Sequence, residues 1–170
     1  MSAPSPQPLS REGRGANLSN SVPLPTAGEG QPARSGGRER GLRFAGYAAV
    51  FDRPDKGGDI IRKGAFAKAL ERPGEVPLLW QHEAGAVIGR IEHLSEDKRG
   101  LRVIASVGDA RTSRLLGSGK VDGLSFGYRV REAKSRVGVR ELVELDLVEV
   151  SLVANPMQSK ARVHAVELQQ

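Results

Sequence analysis

Cysteine is missing from the 170 residues, which excludes a disulfide framework and any thiolate metal site. A chain without cysteine suits a reducing cytoplasm. Aromatic residues make up only 4%, so aliphatic side chains must fill the core, at roughly 25 cal/mol per Å² of apolar surface buried. The same scarcity argues against a nucleic-acid groove, where basic residues alternate with stacking aromatics; no specific nucleic-acid partner is expected. No apolar run approaches the roughly 20 residues of a membrane helix, so no membrane partner is expected either. Met1 to Ser10 has no charged start followed by an apolar stretch, unlike a secretory signal. His82, His93 and His164 are too widely spaced for a compact ligand set, and Gly57-Gly58 lacks the following Lys-Ser/Thr of a phosphate loop. No metal or cofactor is expected.

The net charge is +6, which leaves an acidic protein partner open. Residues 1–40 hold six of the ten prolines (Pro4, Pro6, Pro8, Pro23, Pro25 and Pro32), many Ser and Gly, and no aromatic. Such a segment cannot bury enough apolar surface to offset ordering entropy, and is expected to be a disordered tail or removable pro-segment. A single folded domain is expected over 41–166, with a short tail at 167–170.

Within that domain Leu42 to Phe51 is a strand pattern, Asp52 to Asp59 a turn cluster, and Gly64 to Glu71 a short helix stopped by Pro73. Val76 to Gln81 is a short apolar strand ending at His82, Ala86 to Leu94 and Leu101 to Val107 alternate as strands, and Ala110 to Ser118 is a second helix candidate. Leu124 to Arg131, Val139 to Leu145 and Leu147 to Ala154 complete the strands. Six or seven short strands with two short helices predict a mainly β (α+β) fold, a closed or nearly closed β-barrel with the helices outside, rather than a doubly wound sheet.

Three features could carry chemistry. In Gly123-Leu124-Ser125-Phe126-Gly127 a serine is flanked two residues away by glycines, as in a nucleophile elbow, and Asp146 or Glu149 and then His164 follow in the right order. An elbow needs a helix after the serine, whereas Phe-Gly-Tyr-Arg-Val-Arg is a strand pattern. His82 ends an apolar strand beside a Gly-containing loop, and histidine is the usual base for a serine. Simple alternation places Leu147, Glu149 and Ser151 on one face and Val148, Val150 and Leu152 on the other. A carboxylate among these aliphatics is costly unless paired, and an imidazole N–H is a natural partner.

Four blocks in order resemble the prohead proteases of tailed phages: Phe51-Asp52 through Gly58-Asp59-Ile60-Ile61 to Lys63-Gly64-Ala65-Phe66; Leu78-Leu79-Trp80-Gln81-His82 with Ile88-Gly89; Gly123 to Tyr128; and Asp146 to Val153 with Asn155-Pro156. The resemblance implies a fold similar to the herpesvirus assembly protease, a β-barrel wrapped by helices, and a serine mechanism with His82 as base and Ser125 as nucleophile. The third member in the herpesvirus relatives is a histidine on a later strand. This chain has none there, and Glu149 takes the orienting role, with Asp146 the second choice and a His–Ser dyad the third. Backbone N–H groups in the loop Ala154 to Gln158 would face the oxyanion, Pro156 excepted because it has no N–H. Implied substrates are scaffold segments of the major capsid protein, other procapsid proteins and the protease itself. The implied setting is an assembling procapsid in the bacterial cytoplasm, of a phage, prophage or gene-transfer particle. The resemblance also admits a homodimer. The rival reading is a catalytically silent capsid-assembly or scaffold component of the same fold. Self-cleavage within residues 1–40 is expected: wild type should acquire a new N-terminus on incubation and Ser125→Ala should not, as read by N-terminal sequencing.

Overall fold

The structure, a computed structural model, describes residues 41–72 and 74–169; the expected tail at 1–40 lies outside the described residues. In chain order the elements are β1 (Leu42–Val50), β2 (Asp59–Ile61), α1 (Ala67–Leu70), β3 (Leu78–Trp80), β4 (Val87–Glu96), β5 (Gly100–Val107), α2 (Ala110–Gly117), β6 (Gly123–Arg136), β7 (Val139–Val153) and β8 (Val163–Leu168). The strands form one sheet ordered β2-β7-β3-β4-β5-β1-β8, with β6 also on β7. β6 pairs antiparallel with β7 along its whole length, so β2 and β3, both parallel to β7, share its other edge in succession.

The mainly β character expected from alternation is present, and the helices are short. In β1 the alternation is visible directly: Leu42, Phe44 and Ala48 turn into the core while Arg43, Ala45 and Tyr47 are half-buried. α2 begins as its composition suggests, with the carboxylate of Asp109 accepting from Thr112 N at 2.7 Å as an N-cap. That contact holds the Asp109 carboxyl below the usual carboxylate range.

The expected closed barrel is corrected to a curled, open half-barrel. Closure needs a continuous ladder between the end strands. Only the start of β6 reaches the segment before β8, through the bridge Gly123–Arg162 and the bond from Leu124 N to Ala161 O at 2.9 Å. Beyond Tyr128, β6 turns polar and exposed and projects with β7 as a hairpin, so its outer edge is charged rather than paired.

Other boundaries moved for local reasons. The two strands expected at Val139 to Leu145 and Leu147 to Ala154 are one strand, β7. β2 was hidden at the end of a turn cluster because it has only three residues. β8 runs two residues into the expected tail at 167–170, since Leu42 pairs with Leu168 and Arg43 with Glu167.

The core lies inside the curl, where Phe44, Leu78, Leu101, Val103, Leu124 and Leu152 are shut from solvent. Phe66 enters it just before α1, edge-on to Phe126 at 5.2 Å and tilted on Phe51 at 6.4 Å. Phe126 follows Ser125 in β6, so Phe66 supports the strand that carries the serine. Phe66→Ala should cost about 3–5 kcal/mol, read as a lower denaturant midpoint with an unchanged slope.

Candidate active site

β3 delivers His82. Leu79 pairs with Ser151 and Trp80 with Leu152 of β7, and the chain then reverses in a turn closed by Glu83 N donating to Trp80 O at 2.9 Å. Both central residues are left-handed, Gln81 at φ 49° and His82 at φ 63°, the signature of a type I′ turn. Outside glycine that conformation is uncommon, and histidine is among the residues enriched in it. Two bonds to β7 hold the turn: Gln81 N to Leu152 O at 3.0 Å and His82 N to Ser151 Oγ at 3.2 Å. The backbone thus leaves the strand sharply enough to lay the imidazole along β7.

There His82 Nδ1 lies 2.5 Å from Glu149 Oε1. The second oxygen, Oε2, accepts from Ser151 Oγ at 2.6 Å. An ionised carboxylate can only accept, so the hydrogen of the first contact belongs to Nδ1, and a neutral ring keeps its lone pair on Nε2. Glu149 is 7% exposed and Ser151 0% exposed. Two partners satisfy the buried carboxylate, as burial of such a group demands.

Simple alternation along β7 does not survive. The register passes from Gly127–Glu149 to Tyr128–Leu147, so Val148 is an extra residue, a β-bulge. Val148 is therefore 45% exposed while Val150 and Leu152 are fully buried. The bulge resets the strand's phase, and Leu147, cross-strand to Tyr128, packs against the core while Glu149 keeps the face of Ser151.

Ser125 is the third residue of β6, buried at 6% exposure and directly cross-strand from Ser151. No helix follows it, so the elbow geometry is absent. Ser125, His82 and Glu149 line the same cleft of about 890 Å³. Its walls include Leu124, Phe126, Gly127 and Tyr128 from β6, and Met157 and Gln158 from the loop after β7. The expected loop Ala154 to Gln158 thus contributes to the cleft. Gln158 is pinned through its side chain, accepting from Val50 N at 2.7 Å and donating to Val50 O at 2.9 Å, while Ala154 N donates to Gln81 Oε1 at 3.4 Å.

Asp146 does not join them. It is paired with Arg131, and with Arg72 at 2.8 Å, beside a separate shallow groove. The Arg131 contact holds its carboxyl below the ordinary range. His93 lies 3.1 Å from Ser95 Oγ on β4. His164 packs edge-on against Tyr47 at 5.7 Å beside Arg99, and burial followed by that positive charge pushes it below the usual histidine value. Residues that sequence reasoning did not single out also line the cleft. Asp59 and Arg140 form a two-bond ion pair there, and Tyr128 beside them is pushed up by burial and by the Asp59 charge. Only spatial pairing reveals them, since Arg140 and Asp59 are far apart in the chain.

The family described as the caudovirus prohead serine protease matches residues 32–170. The chain belongs to that family. It is 35% identical over 94 residues to the prohead protease of Enterobacteria phage HK97, a stretch covering 51% of this chain and 42% of that relative, so the match spans less than half of the phage protein. Among solved structures, the KSHV protease bound to a hexapeptide phosphonate inhibitor superposes with a TM-score of 0.56 at 15% identity, covering 76% of this chain and 66% of that one. The varicella-zoster virus protease gives 0.51 at 15% identity, covering 75% and 64%. The chain thus has a fold like the herpesvirus proteases, and among its described residues no helix is long and apolar enough to cross a membrane.

Gly127 lies across from Glu149, and a Cβ there would stand 2.7 Å from Glu149 Oε1. Gly127→Ala should push the carboxylate off His82. The expected result is loss of a low-field imidazole N–H proton resonance with an unchanged far-UV circular dichroism spectrum.

Proposed function

We propose that the chain is a serine endopeptidase of procapsid maturation, with Ser125 as nucleophile, His82 as general base and Glu149 as the group that orients the base. The observation that carries this reading is the His82–Glu149 hydrogen bond inside the cleft that also holds Ser125. Asp146 is not retained as orienter, being engaged by arginines at another groove.

With Nδ1–H on Glu149, Nε2 is the free base. Ser125 Oγ attacks the scissile carbonyl carbon as Nε2 takes its proton, and the carbonyl becomes an oxyanion. Collapse breaks the C–N bond, the imidazolium gives its proton to the leaving amine, and an acyl-enzyme remains. Water, deprotonated by the same nitrogen, then releases the acid and restores the serine. Glu149 stabilises the imidazolium without taking the proton itself. Oxyanion donors come from backbone N–H groups in the 154–158 loop, and losing one such donor typically costs about 100- to 1000-fold in rate.

The substrates on this reading are scaffold segments of the major capsid protein, other procapsid proteins and the chain itself, cleaved inside an assembling procapsid in the bacterial cytoplasm; a homodimer fits the same reading. Co-expression with the adjacent major capsid protein tests it. Wild type should remove an N-terminal capsid segment, Ser125→Ala and His82→Ala should leave it intact, and Glu149→Gln should lower kcat by about 1000- to 10,000-fold, as for loss of an orienting carboxylate. Intact capsid protein with wild type would favour a silent assembly component, and full activity in Glu149→Gln would remove that residue from the mechanism.

A further inference from the structure

We infer that Ser151 is a positioning residue that aligns base and orienter together through a single hydroxyl. This rests on the endopeptidase reading and extends it to a residue that acts through the base and its orienter.

Ser151 is fully buried on β7. It pairs across the sheet with Ser125 on one side and with Leu79 on the other, so it occupies the centre of the strand triplet that holds the site. Its hydroxyl makes two bonds of opposite sense. It accepts from the backbone N–H of His82 at 3.2 Å and donates to Glu149 Oε2 at 2.6 Å.

A hydroxyl has one hydrogen and two lone pairs. With a lone pair committed to His82 N, the rotor is biased to send its hydrogen to the carboxylate. The last torsion of a glutamate side chain is broad and soft, and pinning Oε2 leaves Oε1 aimed at Nδ1. The same atom anchors the left-handed turn at His82, whose φ of 63° needs support from outside the turn. Imidazole position and carboxylate rotation are therefore set by one group. An aliphatic residue here would leave the part-buried His82 N–H and an oxygen of the buried Glu149 carboxylate without their partner.

The experiment compares steady-state cleavage of a capsid-derived peptide by wild type, Ser125→Ala, Ser151→Ala, Ser151→Cys, Glu149→Gln and the Ser151→Ala/Glu149→Gln double variant. Ser151→Ala should lower kcat by about 10- to 100-fold, the loss expected of a hydrogen bond to a charged group, with KM unchanged. In the Glu149→Gln background the same change should have little further effect, because the group it orients has gone. Ser151→Cys, close in volume and a weaker donor, should fall between, and it carries the test if the alanine variant fails to fold. The imidazole N–H resonance of His82 should broaden or shift in Ser151→Ala, a signature that needs no turnover. Undiminished kcat in Ser151→Ala, or losses that multiply with those of Glu149→Gln, would overturn the inference while wild type still cleaves and Ser125→Ala does not. Absence of cleavage by wild type would overturn the endopeptidase reading, and this inference with it.

Discussion

A carboxylate held inside a β-sheet is the constraint around which the rest of this site is organised. Glu149 stands on β7, between β6 and β3, almost out of solvent, with the His82 ring on one oxygen and the Ser151 hydroxyl on the other. Leaving such a group unpartnered costs several kcal/mol, whereas a hydrogen bond to a charged group returns about 1.5–3 kcal/mol. Two such bonds are of the right size to offset the burial. Either partner alone is not, so the pairing is required by the fold as much as by any chemistry.

That requirement runs back into the backbone. Glu149 shares the face of Ser151 and Ser125, while Val150 and Leu152 fill the core at roughly 1.5–3 kcal/mol each. Leu145 and Leu147 on the same strand must also meet core or near-core surface. No unbroken alternation satisfies both halves of β7, and the bulge at Val148 resolves the conflict by shifting the phase of the strand by one residue. The strand can then supply hydrophobic packing below and polar chemistry above. On the other side of β7, two consecutive left-handed residues turn His82 back over the strand. Bulge and turn are both local departures from regular geometry, and both act on the same hydrogen bond.

Ser125, His82 and Glu149 stood out as candidates from residue type, flanking glycines and an acidic residue among aliphatics, and their proposed roles came from the family resemblance. So was the strand-rich character, because period-two patterns are local. Three things were not. Ser151 looks like any serine in an apolar strand, and its two bonds run to a residue on another strand and to a carboxylate whose facing depends on a bulge. The bulge leaves no mark in composition: Leu-Val-Glu-Val-Ser reads as plain alternation and yields the wrong partner for Val148. Barrel closure depends on whether edge groups of β6 and β8 meet, a non-local fact that strand counting cannot supply. Asp146 is the instructive contrast with Glu149. Both are acids among Leu and Val, but Asp146 faces the arginines at 72 and 131 and Glu149 faces an imidazole. Only the register distinguishes them.

The likeness to the herpesvirus proteases is one of fold, and it sharpens the question of what a third residue must do. The resemblance implies a second histidine in that place in those relatives, where the orienting group proposed for this chain is a carboxylate. An imidazole brings its own N–H and costs little to bury, but stabilises a neighbouring cation weakly. A carboxylate stabilises the imidazolium strongly at short range but has to be kept ionised and correctly rotated in a site where water is scarce. A buried donor on the far oxygen gives that charge a hydrogen bond and fixes the plane of the group. On this argument a serine two residues further along the same strand, on the same face, is the natural accompaniment of a carboxylate at position 149. With an imidazole in that place, the same hydroxyl would have no comparable charge to hold.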